Sequence, residues 1–334
     1  MKAVVTTKYG PPEVLELHEV EKPSPKDNEV LIRIDATTVT AGDIEMRSLN
    51  IPLGMQLMLR AGFGVRGPRK KISGTELAGE IEIIGKDVTE YKLGDQVFGS
   101  AGTGFGANAE YICLSDKPGE MEGGVAIKPA NMTYEEAAAV PVGGLEALHF
   151  LRQGNIQGGQ KVLINGAGGS IGTFGVQLAK YFGAEVTGVC STRNLDMVRS
   201  IGADQVIDYT QEDFTKSGQR YDLILDVAGY RSIFGYKRAL SPDGIYVMVS
   251  MDRVLQAMFL GPLISMIGSR KVCALGAEPN EKDLVFMKEL LEVGKVVPVI
   301  DGRYALSEVA EAVRHYGEGH PQGKVVITVE HNHK

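Results

Sequence analysis

The chain has only three cysteines, Cys113, Cys190 and Cys273, far apart and odd in number. They make neither a disulfide framework nor a Cys-x-x-Cys zinc site, and reduced thiols are what such a scatter describes. The histidines are as dispersed: His18, His149, His315 and His320 stand alone, and His331 and His333 share a polar tail. No uninterrupted apolar run reaches the roughly 18 residues that a membrane span needs. The nearest, 254–268, is broken by Gly261-Pro262. The opening MKAVVTTKYG lacks the apolar centre of a signal peptide and reads as a strand. Like charges form no long block, and the net charge of −7 is opposite to that of a protein that wraps nucleic acid. These absences lead to the expectation of a cytoplasmic protein with no nucleic acid partner and no transmembrane segment.

What is present fits an ordinary soluble globular protein. At 334 residues the chain exceeds one simple core and predicts two domains. Its 43% hydrophobic and 23% charged residues are those of an ordinary globular protein. The first 120 or so residues read as β-rich, with strands such as 29–34 and 77–84 between turn clusters at 23–28 and 85–87. After Lys128-Pro129 the pattern changes. An alanine-rich helix spans 134–140 behind Thr133 as its N-cap. Strand 161–165 leads to helix 170–182, with Ile171, Phe174, Leu178 and Phe182 on one face and Gly183 as its stop. Strand 185–190, helix 194–201 before Gly202, and strands 205–209, 221–227 and 244–250 follow. Such alternation predicts a parallel, doubly wound sheet. Helices at 281–293 and 307–316 and a strand at 324–329 close the chain.

The densest chemical signal is Asn165-Gly166-Ala167-Gly168-Gly169-Ser170-Ile171-Gly172, between an apolar strand and an amphipathic helix. A helix start presents backbone N–H groups without acceptors, at the positive end of the helix dipole, and together these bind a pyrophosphate. On this reading Gly166 makes the turn, Gly168 and Gly169 admit the phosphates, and Gly172 lets the helix approach the sheet. Gly166, Gly168, Gly169, Ser170, Ile171 and Gly172 are therefore the candidate dinucleotide site. An NAD site usually has a carboxylate about 20 residues further on, on the ribose 2′-OH. Here the second strand ends in Cys190-Ser191-Thr192-Arg193-Asn194, with no carboxylate from 186 to 194. Arg193 can pair with a 2′-phosphate, and Ser191 and Thr192 can donate to it, which selects NADPH. The competing readings make Arg193 a solvated surface residue and Ser191 a helix cap.

The runs 166–180, 221–229 and 74–99 resemble the medium-chain dehydrogenase/reductase superfamily over essentially the whole chain. The stretches 186–209 (VTGVCSTRNLDMVRSIGADQVIDY) and 93–99 (LGDQVFG) are similar to its zinc-independent quinone oxidoreductase branch. The resemblance implies an α/β architecture: a GroES-like β-barrel catalytic domain from 1–125 and 276–334, and a Rossmann domain with a doubly wound parallel sheet from 126–275. It also implies a cofactor cleft between them and a homodimer. At the zinc-ligand positions of the zinc-dependent relatives this chain has Val39-Thr40-Ala41-Gly42-Asp43, Thr75-Glu76 and Val142. Threonine and valine cannot replace cysteine or histidine on zinc, so no metal is expected. Without a Lewis acid, an alkoxide loses its usual stabilisation, whereas conjugate reduction leaves its charge on a carbonyl oxygen that one donor can hold. The expected reaction is hydride transfer from NADPH to a small lipophilic quinone or α,β-unsaturated carbonyl. Two alternatives stand beside it: an NADPH-binding sensor or structural protein with little turnover, and a zinc-free carbonyl reductase or alcohol dehydrogenase.

By the same resemblance Thr40 and Asp43 face the nicotinamide end, Thr40 bonding a substrate carbonyl or ribose hydroxyl and Asp43 orienting the cofactor or Thr40. Both can equally cap a turn or short helix. Thr75 and Glu76 are weaker candidates, Glu76 fitting equally well as a buried partner of a cation. Tyr209 matches a position near the adenosine, and Lys324 can reach the cofactor; a core tyrosine and a surface lysine are the plain readings. No residue identifies itself as the proton donor. The segment 51–71 mixes Met55, Leu57, Met58 and Leu59 with Arg60, Arg66, Arg69, Lys70 and Lys71. It reads as a packed loop, as a lid over the substrate pocket, or as a peripheral membrane contact. The run 254–268 reads as a helix or lid near the cofactor.

Overall fold

The computed structural model describes residues 1–49, 53–119, 122–249, 271–273, 281–319 and 321–331. The chain opens with β1 (Lys2–Thr6), β2 (Leu15–Glu19) and the long β3 (Glu29–Val39), followed by helices α1 (Ala41–Ser48) and α2 (Leu53–Phe63). Strands β4 (Glu76–Ile84), β5 (Gln96–Ser100), β6 (Tyr111–Ser115) and β7 (Val125–Ile127) precede α3 (Tyr134–Ala138) and α4 (Pro141–Gln153). Strands and helices then alternate: β8 (Lys161–Asn165), α5 (Ser170–Tyr181), β9 (Glu185–Cys190), α6 (Leu195–Ser200), β10 (Gln205–Asp208) and β11 (Tyr221–Asp226). They continue as α7 (Ile233–Ala239), β12 (Leu240–Met248) and β13 (Lys271–Cys273). The chain closes with α8 (Glu281–Glu292), β14 (Ile300–Ala305), α9 (Val309–Gly319) and β15 (Lys324–Thr328).

Two compact units result. One comprises Met1–Val142, Pro279–Val293 and Pro298–Lys334; the other comprises Gly143–Glu278 and Gly294–Val297. The junction lies within α4 and not at 125, because the preceding α3 packs on β3, β4 and β5.

The first unit carries the GroES-like fold. Its sheet runs β14-β15-β3-β4-β5-β7, with β6 also on β3. The two halves of β3 take different partners on one side: Glu29–Arg33 pair with β6, and Ala36–Val39 pair with β15. That brings the C-terminal strand against the N-terminal segment. The core beneath it is aliphatic, with Val30, Ile32, Ile34, Leu77, Ile81, Val97, Val325 and Ile327 packed with Val309 and Val313 of α9.

The second unit is a Rossmann sheet. Its described strands lie in the order β10-β9-β8-β11-β12-β13, every adjoining pair parallel. In chain order this is 3-2-1-4-5-6, the arrangement of dinucleotide-binding sheets. The expected strands 161–165 and 185–190 coincide with β8 and β9. Gly183 and Gly202 follow α5 and α6 with φ of +83° and +111°, the left-handed geometry that ends a helix. The buried face of α5 is wider than the spacing suggested, since every residue from Gly172 to Ala179 is buried. A helix covered on all sides has no need of a polar stripe.

One expectation needs amendment. The segment 51–71 is not a packed loop throughout: Leu53–Phe63 is helical, built from leucine, methionine, glutamine and arginine with no β-branched residue, and it gives way to Gly64 at φ +132°. The run 254–268 lies outside the described residues. No described helix is long and apolar enough to cross a membrane.

Candidate functional site

The turn from β8 into α5 has the geometry that its glycines predict, with two changes of role. Gly166 sits at φ +91°, which side chains with a Cβ rarely adopt. The N–H groups of Gly166 and Ala167 both donate to Val189 O, at 3.0 and 2.9 Å, and tie the turn to β9. A Cβ on Gly172 would stand 2.0 Å from Gly166 O, so α5 rests on the turn itself. The residue that lets α5 approach the sheet is instead Gly175, whose Cβ would meet Leu225 and Ile164. At Gly168 the side chain of Asn194 fills the space: a Cβ there would lie 2.3 Å from Asn194 Nδ2. Asn194 is buried, its Oδ1 lacks a partner among the described residues, and its part was not legible in the sequence. Gly169 is the N-cap of α5 and supplies no side-chain acceptor. The N–H groups of Ser170, Ile171 and Gly172 thus have the unpaired character of any helix start, and an anion can take them.

At the end of β9, Ser191 holds the N-cap position of a short 3-10 turn without a side-chain cap bond, and Thr192 and Arg193 are exposed. Thr192 does not offer a free donor. Its Oγ1 donates to Asp208 Oδ2 at 2.5 Å, while Thr210 donates to Asp208 Oδ1 through N and Oγ1 at 2.9 and 2.7 Å. These bonds, the one from Thr192 first, hold the Asp208 carboxyl below its ordinary value. Asp208 lies opposite Cys190 in the β9–β10 register, so a carboxylate does stand beside the strand end, supplied by the third strand and not the second. Tyr209 is not a core residue: it is exposed beside Tyr230, with ring centroids 6.4 Å apart.

A buried polar network fixes the adjoining strand ends. Asp226 at the end of β11 accepts from Asn165 Nδ2 at 2.7 Å, Gly229 N at 2.9 Å and Tyr246 OH at 2.7 Å. Asn165 also donates to Tyr236 OH at 3.1 Å, and burial, aided by Asp226, pushes that phenol far up. Every polar atom named has a partner, which is the condition for such a network to hold its shape.

In the first unit, Thr40 and Asp43 form a reciprocal capping box on α1. Thr40 Oγ1 accepts from Asp43 N at 3.1 Å and donates to Asp43 Oδ2 at 2.8 Å, and Thr40 N donates to the same oxygen at 3.1 Å. The capping alternative therefore describes their geometry, with the Thr40 hydroxyl bonded to Asp43. Asp43 Oδ1 is buried with no partner among the described residues. Burial drives the Asp43 carboxyl up to about 6, against the pull of its bonds from Thr40. Because the folded value lies above the unfolded one, its stabilising effect is full below about pH 4 and lost as pH rises through about 6. Asp43→Asn should accordingly gain on the parent by up to about 3 kcal/mol between about pH 4 and pH 7, read from urea midpoints. Parallel stability curves across that window would refute the shift.

Lys324 is not the surface lysine of the plain reading. It is 1% exposed, and its ammonium donates to Glu76 Oε2, as does Thr38 Oγ1. Glu76, fully buried, accepts at Oε1 from Val142 N at 2.7 Å, the first turn of α4. Glu76 thus has the buried cation of the structural reading and also caps a helix start. Thr75 Oγ1 is buried without a partner among the described residues.

These features agree with comparisons to known proteins. Residues 26–144 match the family model described as alcohol dehydrogenase GroES-like domain, and residues 201–327 match that described as zinc-binding dehydrogenase. The chain is 31% identical to the chloroplast envelope quinone oxidoreductase homolog of Arabidopsis thaliana over 327 residues, 94% of this chain and 93% of that protein. It is 29% identical to the NADPH-dependent alkenal/one oxidoreductase of the same plant over 98% of this chain and 79% of that one. Against the structure of the quinone oxidoreductase from Coxiella burnetii the TM-score is 0.87 at 28% identity, covering 99% of each chain.

Proposed function

The chain belongs to the medium-chain dehydrogenase/reductase superfamily, in its quinone oxidoreductase-like branch, and from that premise we propose that it is a zinc-independent, NADPH-dependent reductase of quinones or α,β-unsaturated carbonyls. The observation that carries the reading is the turn Gly166–Gly172, where a positive φ and a 2.0 Å approach leave room for backbone alone at the start of α5. Bound there, a reduced nicotinamide dinucleotide supplies the hydride. The residues of this chain hold its pyrophosphate through the N–H groups of Ser170, Ile171 and Gly172. Zinc independence is supported by the donor set: Thr40, Thr75 and Val142 offer neither thiolate nor imidazole where the family's ligands fall. The relatives named for quinone and alkenal reduction support the substrate class.

The test is nicotinamide oxidation across a panel of quinones, enones and alkenals, with and without a strong zinc chelator. Turnover of quinones or enones that survives chelation is the expected result. Loss of turnover on chelation would overturn the metal-free reading. Turnover of aldehydes alone would replace it with a carbonyl reductase, and binding without turnover would replace it with a sensor.

The choice of NADPH is proposed from Arg193 and the hydroxyl of Ser191, and Asp208 works against it. Arg193→Ala should lower NADPH affinity about tenfold, close to 1.4 kcal/mol, with little change for NADH. Asp208→Asn removes a negative charge from the same strand end and should raise NADPH affinity about threefold over NADH. Titration of both cofactors by fluorescence checks the pair; an unchanged ratio in both variants would remove the assignment.

A further inference from the structure

Within the first unit an open cleft lies between α1, the end of α2 and the turn after β5. Its aromatic walls are set in place. Phe63 and Phe105 meet edge to face with centroids 6.1 Å apart. The Tyr9 hydroxyl donates to Gly64 O at 2.8 Å, and Arg60 stands 5.1 Å from the Tyr9 ring. Met46 adds a thioether to the apolar lining.

The polar part of the lining is unbalanced. Arg47, Lys70 and Lys71 line the pocket against one carboxylate, Asp43. Arg47 is 8% exposed; its Nη1 donates to Gly10 O, but its Nε has no partner among the described residues. Asp43, 9% exposed, leaves Oδ1 unpaired as noted. Lys70 and Lys71 have no carboxylate partner among the described residues. A buried guanidinium with an unmade hydrogen bond in this cleft calls for an explanation, since native structures rarely leave such groups unsatisfied.

We propose that this pocket binds a flat apolar molecule bearing a carboxylate or sulfonate, its rings against Tyr9, Phe63 and Phe105 and its anion at Lys70, Lys71 and Arg47. Aromatic burial supplies the non-directional attraction, and the cations supply the charge-assisted bonds that choose the anionic compound over its neutral counterpart. The inference deepens the reductase reading by making anionic quinones or enones the favoured substrates; turnover rests on that reading, whereas binding does not.

The experiment compares 2-naphthoate with its neutral methyl ester by calorimetry on the full chain without cofactor. The acid should bind about tenfold more tightly than the ester. K70E/K71E should abolish that preference, while Arg66→Glu, on the same basic segment but away from the lining, should leave it intact. Equal affinity for acid and ester, or a preference that survives K70E/K71E, would overturn the proposal. A parallel assay sets a naphthoquinone sulfonate against its parent quinone. Anion preference in binding with no quinone turnover would defeat the reductase reading and leave the pocket standing. Turnover of the parent with no anion preference would do the reverse.

Discussion

Lys324→Met should destabilise the fold by about 3–5 kcal/mol, the loss seen when one partner is taken from a buried ion pair. The residue is fully enclosed, and without its ammonium the Glu76 carboxylate keeps, among the described residues, the donors Thr38 Oγ1 and Val142 N. Those two bonds solvate the charge incompletely in a site sealed from water. Glu76→Gln should be costly for the opposite reason, because it strands the ammonium of Lys324. The double variant E76Q/K324M removes both charges and should recover much of either loss, so the coupling, and not the size of one effect, carries the argument. Denaturant unfolding of the four proteins measures it. Additive losses would mean that the pair is not energetically coupled. A loss confined to cofactor affinity, with stability unchanged, would instead restore the cofactor role that the sequence suggested for Lys324.

Gly172→Val should lower dinucleotide affinity at least about a hundredfold, near 2.8 kcal/mol. The first added carbon would lie 2.0 Å from Gly166 O and 2.7 Å from Ala167 Cα, both backbone, so the start of α5 must lift off the turn. That shift moves the three N–H donors on which the proposed pyrophosphate contact depends. Stability will fall as well, and a contrasting variant separates the two effects. Gly169 has negative φ, and a Cβ there would meet nothing of the protein closer than 3.7 Å. Gly169→Ala should therefore leave the melting temperature within a degree or so and still weaken NADPH binding, because its methyl enters the space proposed for the phosphates. Calorimetric titration with thermal melting reads both. Full affinity in Gly169→Ala would argue that the turn is structural only.

Much of the fold was legible because it is written in neighbouring residues. Strand and helix periods, the stop at Gly183, and the run from Asn165 to Gly172 depend on a few consecutive positions, and the structure keeps β8, β9 and α5 nearly at the expected bounds. The helix at 53–63 was less legible because Gly54 and Gly62 and the lack of a clear polar face obscure its helix-forming leucines and methionines. At the cofactor turn the local pattern identified the glycines but not their neighbours: the contact of Gly168 with Asn194, or of Gly175 with Leu225, depends on which strand lies next to β8.

The sequence by itself determined the two-unit α/β plan, the dinucleotide turn and the lack of thiolate or imidazole at Thr40, Thr75 and Val142. Those properties are local, or follow from residue type alone. Only the tertiary structure decided what the polar residues of the site do. Lys324 and Glu76 are 248 positions apart, and they meet because β15 lies beside β3, itself paired with β4. Thr192 turns to Asp208 because β9 and β10 end level with each other. A charge or hydroxyl takes whatever partner the sheet brings within about 3 Å, and no spacing along the chain encodes that choice.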